Sequence, residues 1–221
     1  MKIETIEAAG FRPAISIAMR NPMDSWAKSD TVYALGTFRT MDDDGLHIYT
    51  DVTEDMHVGD ADKDLSVRLQ VSGPEHCKHL RMVMVWANIE APRYWWTEFD
   101  TYRVGVEKVS CSTMHKLMAR PLTSDDFEVD DKDSPGFQIF LQHLIDSMNE
   151  YKELDDPNEK KELWRHIIQM LPQSYLQKRT VMMSYAALRN IYRQRKGHKL
   201  KEWQQFREWV EGLPESWMIT E

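Results

Sequence analysis

The sequence has 221 residues, of which 42% are hydrophobic and 29% charged, and its formal net charge is −8. A chain of this length forms one large domain or two small ones and can bury a sizeable core. The acidic balance disfavours nucleic acid as a partner, because a nucleic-acid-binding module is usually basic as a domain.

The cysteine count and the hydropathy pattern indicate a compartment. Cys77 and Cys111 are too few for a disulfide framework, so we expect a reducing environment. No apolar run approaches the length needed to cross a membrane, and the first residues lack the basic-then-apolar pattern of a signal peptide. We therefore expect a cytoplasmic protein without membrane contact.

The first half of the chain is predicted to be rich in strands. Ile3–Ile6 is typical of a short strand. Residues 24–72 mix short alternating runs with acidic turns at 41–45 and 60–64, which indicates a β-rich or irregular region. Leu80–Trp86 is predicted as a buried strand, and a helix is predicted to open at Pro92.

The second half is predicted to be helical. Residues 121–136 form an acidic loop bounded by Pro and Gly, the one credible internal linker. Apolar residues at helical spacing then predict four helices, over residues 137–151, 159–171, 180–195 and 200–211. Because strands come first and helices later, the order favours an α+β fold over an alternating parallel sheet. We expect a single domain over residues 1–221.

A basic stretch stands out against the acidic balance. Residues 178–201 contain eight Lys and Arg and no Asp or Glu. Such a concentration of positive charge is a footprint for a ligand that carries phosphate, and the alternative is a solvated helix face. Arg189 and Arg193 recur at helical spacing and favour the solvated face.

Two sets of intervals frame the candidate functional residues. In the first, Leu171-Pro172 is followed by Ser184, Asn190 and Arg195. In the second, Glu75-His76 precedes the predicted strand at 80–86. It is followed by the segment Ala91–Arg103 and then by Ser110-Cys111-Ser112.

Together these intervals resemble the flavin-dependent thymidylate synthases, enzymes that methylate dUMP with FAD, methylenetetrahydrofolate and NADPH. The resemblance places Ser184 and Asn190 at the family's two asparagines and Arg195 at its nucleotide-binding arginine. Upstream, Glu98 falls at a glutamine, and Thr101-Tyr102-Arg103 falls at the Arg-His-Arg signature, of which it keeps one residue. The signature serine falls at Cys111.

The resemblance implies a role for each of these residues. Arg195, Ser110 and Ser112 would be catalytic. The flavin would be held by His76, Tyr102, Arg103, Ser184 and Asn190. The nucleotide would be held by Arg93, Glu98, Arg103, Ser110, Cys111, Ser112 and Arg195.

Structural alternatives remain for several of these residues. Arg103 could be a cation at a helix C-terminus, Arg93 and Glu98 surface residues, and Cys111 a small buried packing residue. The Trp95-Trp96 pair could stack on a planar ligand or belong to the core. The histidines have no metal-ligand spacing, so no metal site is predicted.

The resemblance also implies the architecture and assembly. The expected fold is α+β, with a mixed or antiparallel sheet packed against helices and a helical C-terminal half. The expected assembly is a homotetramer with flavin and nucleotide at the subunit interfaces. Two other functions stay open: flavin-dependent modification of another pyrimidine nucleotide, motivated by Glu98, and non-catalytic binding of a nucleotide or nucleic acid.

Overall fold

The computed structural model describes residues 1–42 and 45–221, without the side chains of residues 35–42, 47 and 49–55. The acidic turn predicted at residues 41–45 falls partly outside them. None of the described helices is long and apolar enough to span a membrane. Among the described residues, no three His, Cys, Asp or Glu side chains come together as a metal site.

Six strands form two antiparallel sheets in the described chain. The strands are β1 (Lys2–Ala9), β2 (Val32–Asp42), β3 (Gly45–His57), β4 (Met84–Pro92), β5 (Val106–Ser110) and β6 (Leu176–Ser184). Four of them make the main sheet in the order β1-β4-β6-β5, and β2 pairs with β3 as a separate ribbon. The α+β prediction with an antiparallel sheet is confirmed.

Eight α-helices accompany the sheets in the described chain. They are α1 (Asp60–Ser72), α2 (Arg93–Phe99), α3 (Thr113–Lys116), α4 (Pro135–Glu153), α5 (Pro157–Met170), α6 (Tyr185–Gln194), α7 (Lys201–Glu211) and α8 (Trp217–Thr220). The helices predicted at 137–151, 159–171 and 200–211 correspond to α4, α5 and α7 and are confirmed. Their strong apolar periodicity explains why the sequence located them.

The helix predicted over residues 180–195 is wrong in its first part. Residues 176–184 form β6, which hydrogen-bonds to β4 on one side and to β5 on the other, and α6 begins at Tyr185. The Ser184 hydroxyl caps this helix by accepting from the backbone N–H of Ala187 at 3.2 Å. Pairing on both edges decides the conformation, and it overrides the helical spacing of the apolar residues.

Residues 60–72 lie in the region predicted to be β-rich or irregular, with an acidic turn at 60–64, and that prediction is wrong because they form helix α1. Its inward face carries Asp62, Ser66 and Gln70, spaced four residues apart and at most 5% exposed. Because this buried stripe is polar, the apolar residues of α1 do not show a helical period. The sequence pattern was therefore misleading.

The buried polar face of α1 contacts His79, whose ring is 3% exposed and whose Nε2 lies 2.8 Å from the Ser66 hydroxyl. Burial lowers the pKa of His79 from 6.5 to about 4. When the pH is lowered from 7 to 4.5, the unfolded chain therefore takes up a proton at this residue, while the folded chain stays largely neutral there. Stability should fall over that interval by about 2 kcal/mol on account of His79.

Replacing His79 by glutamine should remove this part of the pH dependence. Urea unfolding at pH 7 and pH 4.5 measures it, and His76→Gln, whose ring is exposed, serves as the control. The control should keep the pH dependence of the unmodified chain. If His79→Gln keeps it as well, the neutral buried histidine is not its source.

Two further strands depart from prediction. The strand predicted at Leu80–Trp86 begins later, at Met84, because residues 78–81 form a short 3-10 turn. Strand β5 was not predicted from the sequence. It lies at the edge of the sheet with Val109 75% exposed, so it lacks the alternating apolar pattern of a half-buried strand.

The main core lies between the sheet and the helices α2, α6 and α7. An aromatic group fills it, made of Trp95, Trp96, Phe99, Trp203 and Phe206, all at most 1% exposed. Trp95 stacks on Phe99 with ring centroids 4.8 Å apart. The Trp95-Trp96 pair therefore packs in the core and does not offer a stacking surface to a ligand.

A second apolar cluster lies in the helical part of the chain. It joins α4 and α5 through Leu141, Leu144, Met148 and Ile167. Phe127, from the acidic loop at 121–136, is 1% exposed and belongs to this cluster. The loop is therefore anchored by an apolar side chain despite its acidic composition.

Candidate functional site

An ion pair joins the end of α2 to the residue that follows α6. Arg195 Nη1 donates to Glu98 Oε2 at 2.7 Å. The same carboxylate oxygen accepts from the Trp203 indole N–H at 2.8 Å and lies 3.3 Å from His198 Nε2. The Leu200 N–H donates to His198 Nδ1, so a neutral ring carries its proton on Nε2, facing Glu98.

The contacts of Arg195 fix the orientation of its guanidinium as well as balancing its charge. Its Nε donates to the Tyr102 hydroxyl at 2.8 Å, and its guanidinium lies over the Trp203 ring, 4.3 Å from the centroid. Its side chain is 16% exposed. A planar guanidinium fixed by a carboxylate, a hydroxyl and an aromatic face presents its remaining donors in one direction.

The hydrogen bonds continue from Arg195 into α6. The Tyr102 hydroxyl donates to Gln194 Oε1 at 3.0 Å, and Gln194 Nε2 donates to Asn190 Oδ1 at 2.9 Å. Side chains from α2, α6 and α7 are thereby connected in one series. Four residues singled out in the sequence belong to it: Glu98, Tyr102, Asn190 and Arg195.

Asn190 also lines a cavity of about 490 Å³. We call it the arginine cavity, because Arg81, Arg189 and Arg193 line it and no Asp or Glu does. Ser184, at the start of α6, lies in its wall, together with apolar residues such as Leu80, Met84 and Val104. The cavity therefore combines positive charge, hydroxyl and amide groups, and an apolar surface.

Arg189 is the most constrained of these arginines. It is half-buried, and its Nε atom is buried without a hydrogen-bond partner among the described residues. Burial is the main cause that lowers the pKa of Arg189, and the positive charge of Arg193 lowers it further. Arg193 is exposed and donates from Nη2 to the backbone oxygen of Glu221 at 2.8 Å. Positive charge is thus concentrated there without a carboxylate in the wall to balance it.

A glycine allows the chain to close on the start of α6. Gly105 has φ +70°, and a Cβ placed on it would lie 2.5 Å from the Ser184 hydroxyl oxygen. The Gly105 carbonyl accepts from the Ser184 backbone N–H at 2.8 Å. A larger residue would clash there and force an unfavourable backbone conformation, so glycine is required for this wall of the arginine cavity.

No sequence-family model matches the chain, and no curated protein matches it by sequence. Solved structures do match. The flavin-dependent thymidylate synthase ThyX from Helicobacter pylori, complexed with FAD and dUMP, superposes with a TM-score of 0.68 over 100% of this chain and 98% of its own, at 19% identity. Another structure of Helicobacter pylori thymidylate synthase X with FAD and dUMP gives 0.68 and 18% identity over the same shares of the chains.

This chain has the flavin-dependent thymidylate synthase fold. The fold predicted from the resemblance is therefore confirmed over the full length of the chain. At this level of identity the likeness concerns the fold alone, since function resides in particular sites.

On this thymidylate synthase fold, the signature region around Cys111 lies apart from the arginine cavity. Ser110 is exposed at the end of β5, and Ser112 precedes α3. Cys111 and Ser112 line a different cavity, of about 220 Å³, with the cations Lys116, Arg120 and Lys178 and the carboxylates Glu90 and Asp126. Cys111 is exposed, so the alternative of a buried packing residue is wrong.

Arg93 and Arg103 occupy two other places on the fold. Arg93 is half-buried and donates to the Leu171 carbonyl at 3.4 Å, in the wall of a cavity of about 280 Å³. Arg103 is exposed and makes no hydrogen bond or ion pair with another described residue. Helix α2 ends at Phe99, so Arg103 is not the terminal cation of that helix.

His76 lies near the arginine cavity without lining it. It is exposed, with Nε2 3.5 Å from the carboxylate of the adjacent Glu75. Two residues of the same turn, Pro74 and Cys77, do line the cavity. The structure therefore gathers Ser184 and Asn190 at this cavity and brings the turn of His76 alongside it.

The basic stretch at 178–201 does not form one surface. Arg179 pairs with Asp100 at 2.8 Å, and Lys201 pairs with Glu128 and Asp130. Arg195 pairs with Glu98. Arg189 makes no such pair among the described residues and lines the arginine cavity. The sequence interpretation of Arg189 as a solvated residue is wrong, and the charge run itself was the signal that could have identified it.

A second group of paired charges was missed from the sequence. Asp100 accepts from Arg179 at 2.8 Å and from Lys108 at 3.0 Å. Burial by itself would raise the pKa of Asp100, but the hydrogen bonds and charges of Lys108 and Arg179 outweigh it and lower the pKa. Arg179 also lies over the Trp96 ring, 4.2 Å from its centroid, so this group braces α2 against β6.

Proposed function

We propose that the chain is a flavin-dependent enzyme that methylates dUMP at C5, with FAD as cofactor and methylenetetrahydrofolate and NADPH as cosubstrates. The observation that carries this proposal is the hydrogen-bonded series from Asn190 to Arg195 and Glu98, which begins at the wall of the arginine cavity. Two structures with the same fold hold FAD and dUMP. A cofactor and a nucleotide bound side by side need two adjacent binding places. The arginine cavity would provide one and the surroundings of Arg195 the other, and the hydrogen-bonded series connects them.

The residues of the arginine cavity fit a flavin nucleotide. A volume of about 490 Å³ lies in the range of ligand-binding cavities, and the orphaned Arg189 Nε lacks the acceptor that a phosphate oxygen supplies. Ser184 and Asn190 would hold the cofactor there, with His76, Tyr102 and Arg103 at the edge of the site. When bound, the flavin supplies the hydride that completes the methyl group.

Arg195 is the proposed contact to the nucleotide. Its Nη2 atom makes no hydrogen bond to a described residue, while Nε and Nη1 are held by Tyr102 and Glu98. The guanidinium can therefore donate to an acceptor on the substrate without losing its orientation. Preorganised donors of this kind lower the cost of placing charge in a site, which is the principal contribution a protein makes beside its cofactor.

We also propose that the complete site is shared between subunits of a homotetramer. Ser110, Cys111, Ser112 and Arg93 line or adjoin cavities other than the arginine cavity. A site built from two subunits would allow these residues to hold the nucleotide phosphate opposite Arg195. Their separation within one chain supports an arrangement of that kind.

A second candidate function is the flavin-dependent modification of another pyrimidine nucleotide, and Glu98 favours it. All three of its contacts with Arg195, Trp203 and His198 go to Oε2. Oε1 is left as an acceptor, which suits a base edge that presents an amino group. dCMP is the corresponding substrate.

Purification with added FAD and a tritium-release assay test the proposal. The protein should retain a flavin absorption spectrum after removal of free FAD. With NADPH and methylenetetrahydrofolate it should release tritium from [5-³H]dUMP, or from [5-³H]dCMP if the second candidate holds. A colourless protein that cannot be reconstituted with FAD would exclude both candidates. Flavin retention without tritium release from either nucleotide would exclude the reaction while keeping the cofactor.

A further inference from the structure

We infer that Arg189 and Arg193 form an anion site that binds the phosphate groups of a nucleotide in the arginine cavity. This inference deepens the proposed function, because the phosphates would be those of its cofactor. Arg193 does not belong to the intervals that carried the family resemblance, and Arg189 stands within them without a role implied by the family.

The charge of the cavity is the first argument. Arg81, Arg189 and Arg193 line it without a single Asp or Glu in its wall. Elsewhere in the basic stretch, Arg179, Arg195 and Lys201 each pair with a carboxylate. Among the described residues, Arg81 and Arg189 line this cavity without a carboxylate partner, and Arg193 donates to the backbone oxygen of Glu221. Like charges held together are stabilised when an anion binds between them.

The unpaired donors of Arg189 are the second argument. A buried guanidinium N–H without an acceptor is costly, and Arg189 Nε is in this position in the described structure. Arg189 lies one turn before Arg193 on α6, so both side chains project from the same helix face. A phosphate oxygen between them would accept from both guanidinium groups and give Arg189 an acceptor.

The rest of the wall indicates the class of ligand. Leu80, Met84 and Ala187 add an apolar surface, and Ser184 and Asn190 add groups that can bind sugar hydroxyls. A cavity of about 490 Å³ can hold a phosphate together with a ring. The ligand is therefore a nucleotide that carries one or two phosphates, and a bare nucleoside should bind weakly.

Isothermal titration of the purified chain with pyrophosphate, ADP and adenosine tests the site. Pyrophosphate and ADP should bind, and adenosine should bind at least about tenfold more weakly than ADP. Arg189→Gln and Arg193→Gln should each weaken pyrophosphate about tenfold or more. Arg165→Gln, with the same loss of charge on exposed α5 outside the cavity, should leave the affinity within about twofold.

Thermal unfolding provides a readout that is independent of activity. Pyrophosphate should raise the unfolding midpoint of the unmodified chain and of Arg165→Gln, and at the same concentration it should raise that of Arg189→Gln by less. Equal pyrophosphate affinity in the unmodified chain and in both cavity variants would overturn the inference, as would the absence of pyrophosphate and ADP binding. If pyrophosphate binds through these arginines but FAD does not, the anion site stands and the cofactor proposal fails. If Arg189→Gln takes up FAD as well as the unmodified chain does, the cofactor proposal stands and the assignment of Arg189 to the cofactor phosphates fails.

Discussion

Replacing Asp62 by alanine is expected to lower the free energy of unfolding by about 3–5 kcal/mol. Asp62 is 0% exposed and Arg20 is 5% exposed. Asp62 Oδ1 accepts from Arg20 Nε at 2.6 Å and from Nη2 at 2.5 Å. Its Oδ2 accepts from Ser29 and from the backbone and side chain of Thr31. Alanine would leave the Arg20 guanidinium buried without a counter-charge, and it would leave the donors of Ser29 and Thr31 without their acceptor.

Urea and thermal unfolding measure the loss, which corresponds to about 6–20 °C in the unfolding midpoint for a domain of this size. Asp64→Ala, an exposed aspartate on the same helix, is the matched control and should change stability by no more than about 0.5 kcal/mol. Replacing both partners, with Arg20→Met and Asp62→Leu together, should recover part of the loss. A loss in Asp62→Ala no greater than in the control would show that the buried pair does not stabilise the fold.

Arg195→Lys is expected to weaken dUMP binding to the FAD-loaded protein by about ten- to a hundredfold, or about 1.4–2.8 kcal/mol. Lysine keeps a positive charge opposite Glu98, but it cannot donate to Glu98 and Tyr102 together while stacking on Trp203. The orientation of the donors toward the substrate is lost while the charge remains. Isothermal titration with dUMP measures the affinity, and urea unfolding measures any change in stability.

Arg207→Lys is the matched control for this substitution. Arg207 also donates to a protein acceptor, the Tyr192 carbonyl, and stacks on an aromatic ring, with 3.9 Å to the Tyr192 centroid. It has no place in the proposed site, so dUMP affinity should stay within about twofold in this variant. Equal losses in the two variants would mean that Arg195 acts through stability alone. Unchanged affinity in Arg195→Lys would remove it from the nucleotide site.

The helical half of the fold was readable from the sequence because its signals are local. Helices α4, α5 and α7 each carry an apolar stripe at helical spacing, and Pro stands at the first position of both α4 and α5. Helix α1 was not readable, since its inward stripe is the polar series Asp62, Ser66 and Gln70. Partners distant in the chain, such as Arg20 and His79, make that stripe stable when buried.

The candidate site divides in the same way. The intervals around Ser184, Asn190 and Arg195 could be read in the sequence, because α6 and the turn after it hold them in a fixed local relation. The pairing of Arg195 with Glu98 spans 97 residues and could not be read in the sequence. The exposure of Arg103 could not be read in the sequence either, because it depends on α2 ending at Phe99.

The amino-acid sequence by itself determined the α+β class, the helices of the C-terminal half and the intervals between candidate residues. These depend on periodicity and spacing, which act over a few turns of chain. The tertiary structure alone decided which cations of the basic stretch are paired and which face a cavity. That outcome depends on which carboxylates the fold brings within hydrogen-bonding distance, and Asp100, Glu98 and Glu128 reach the stretch from far along the chain.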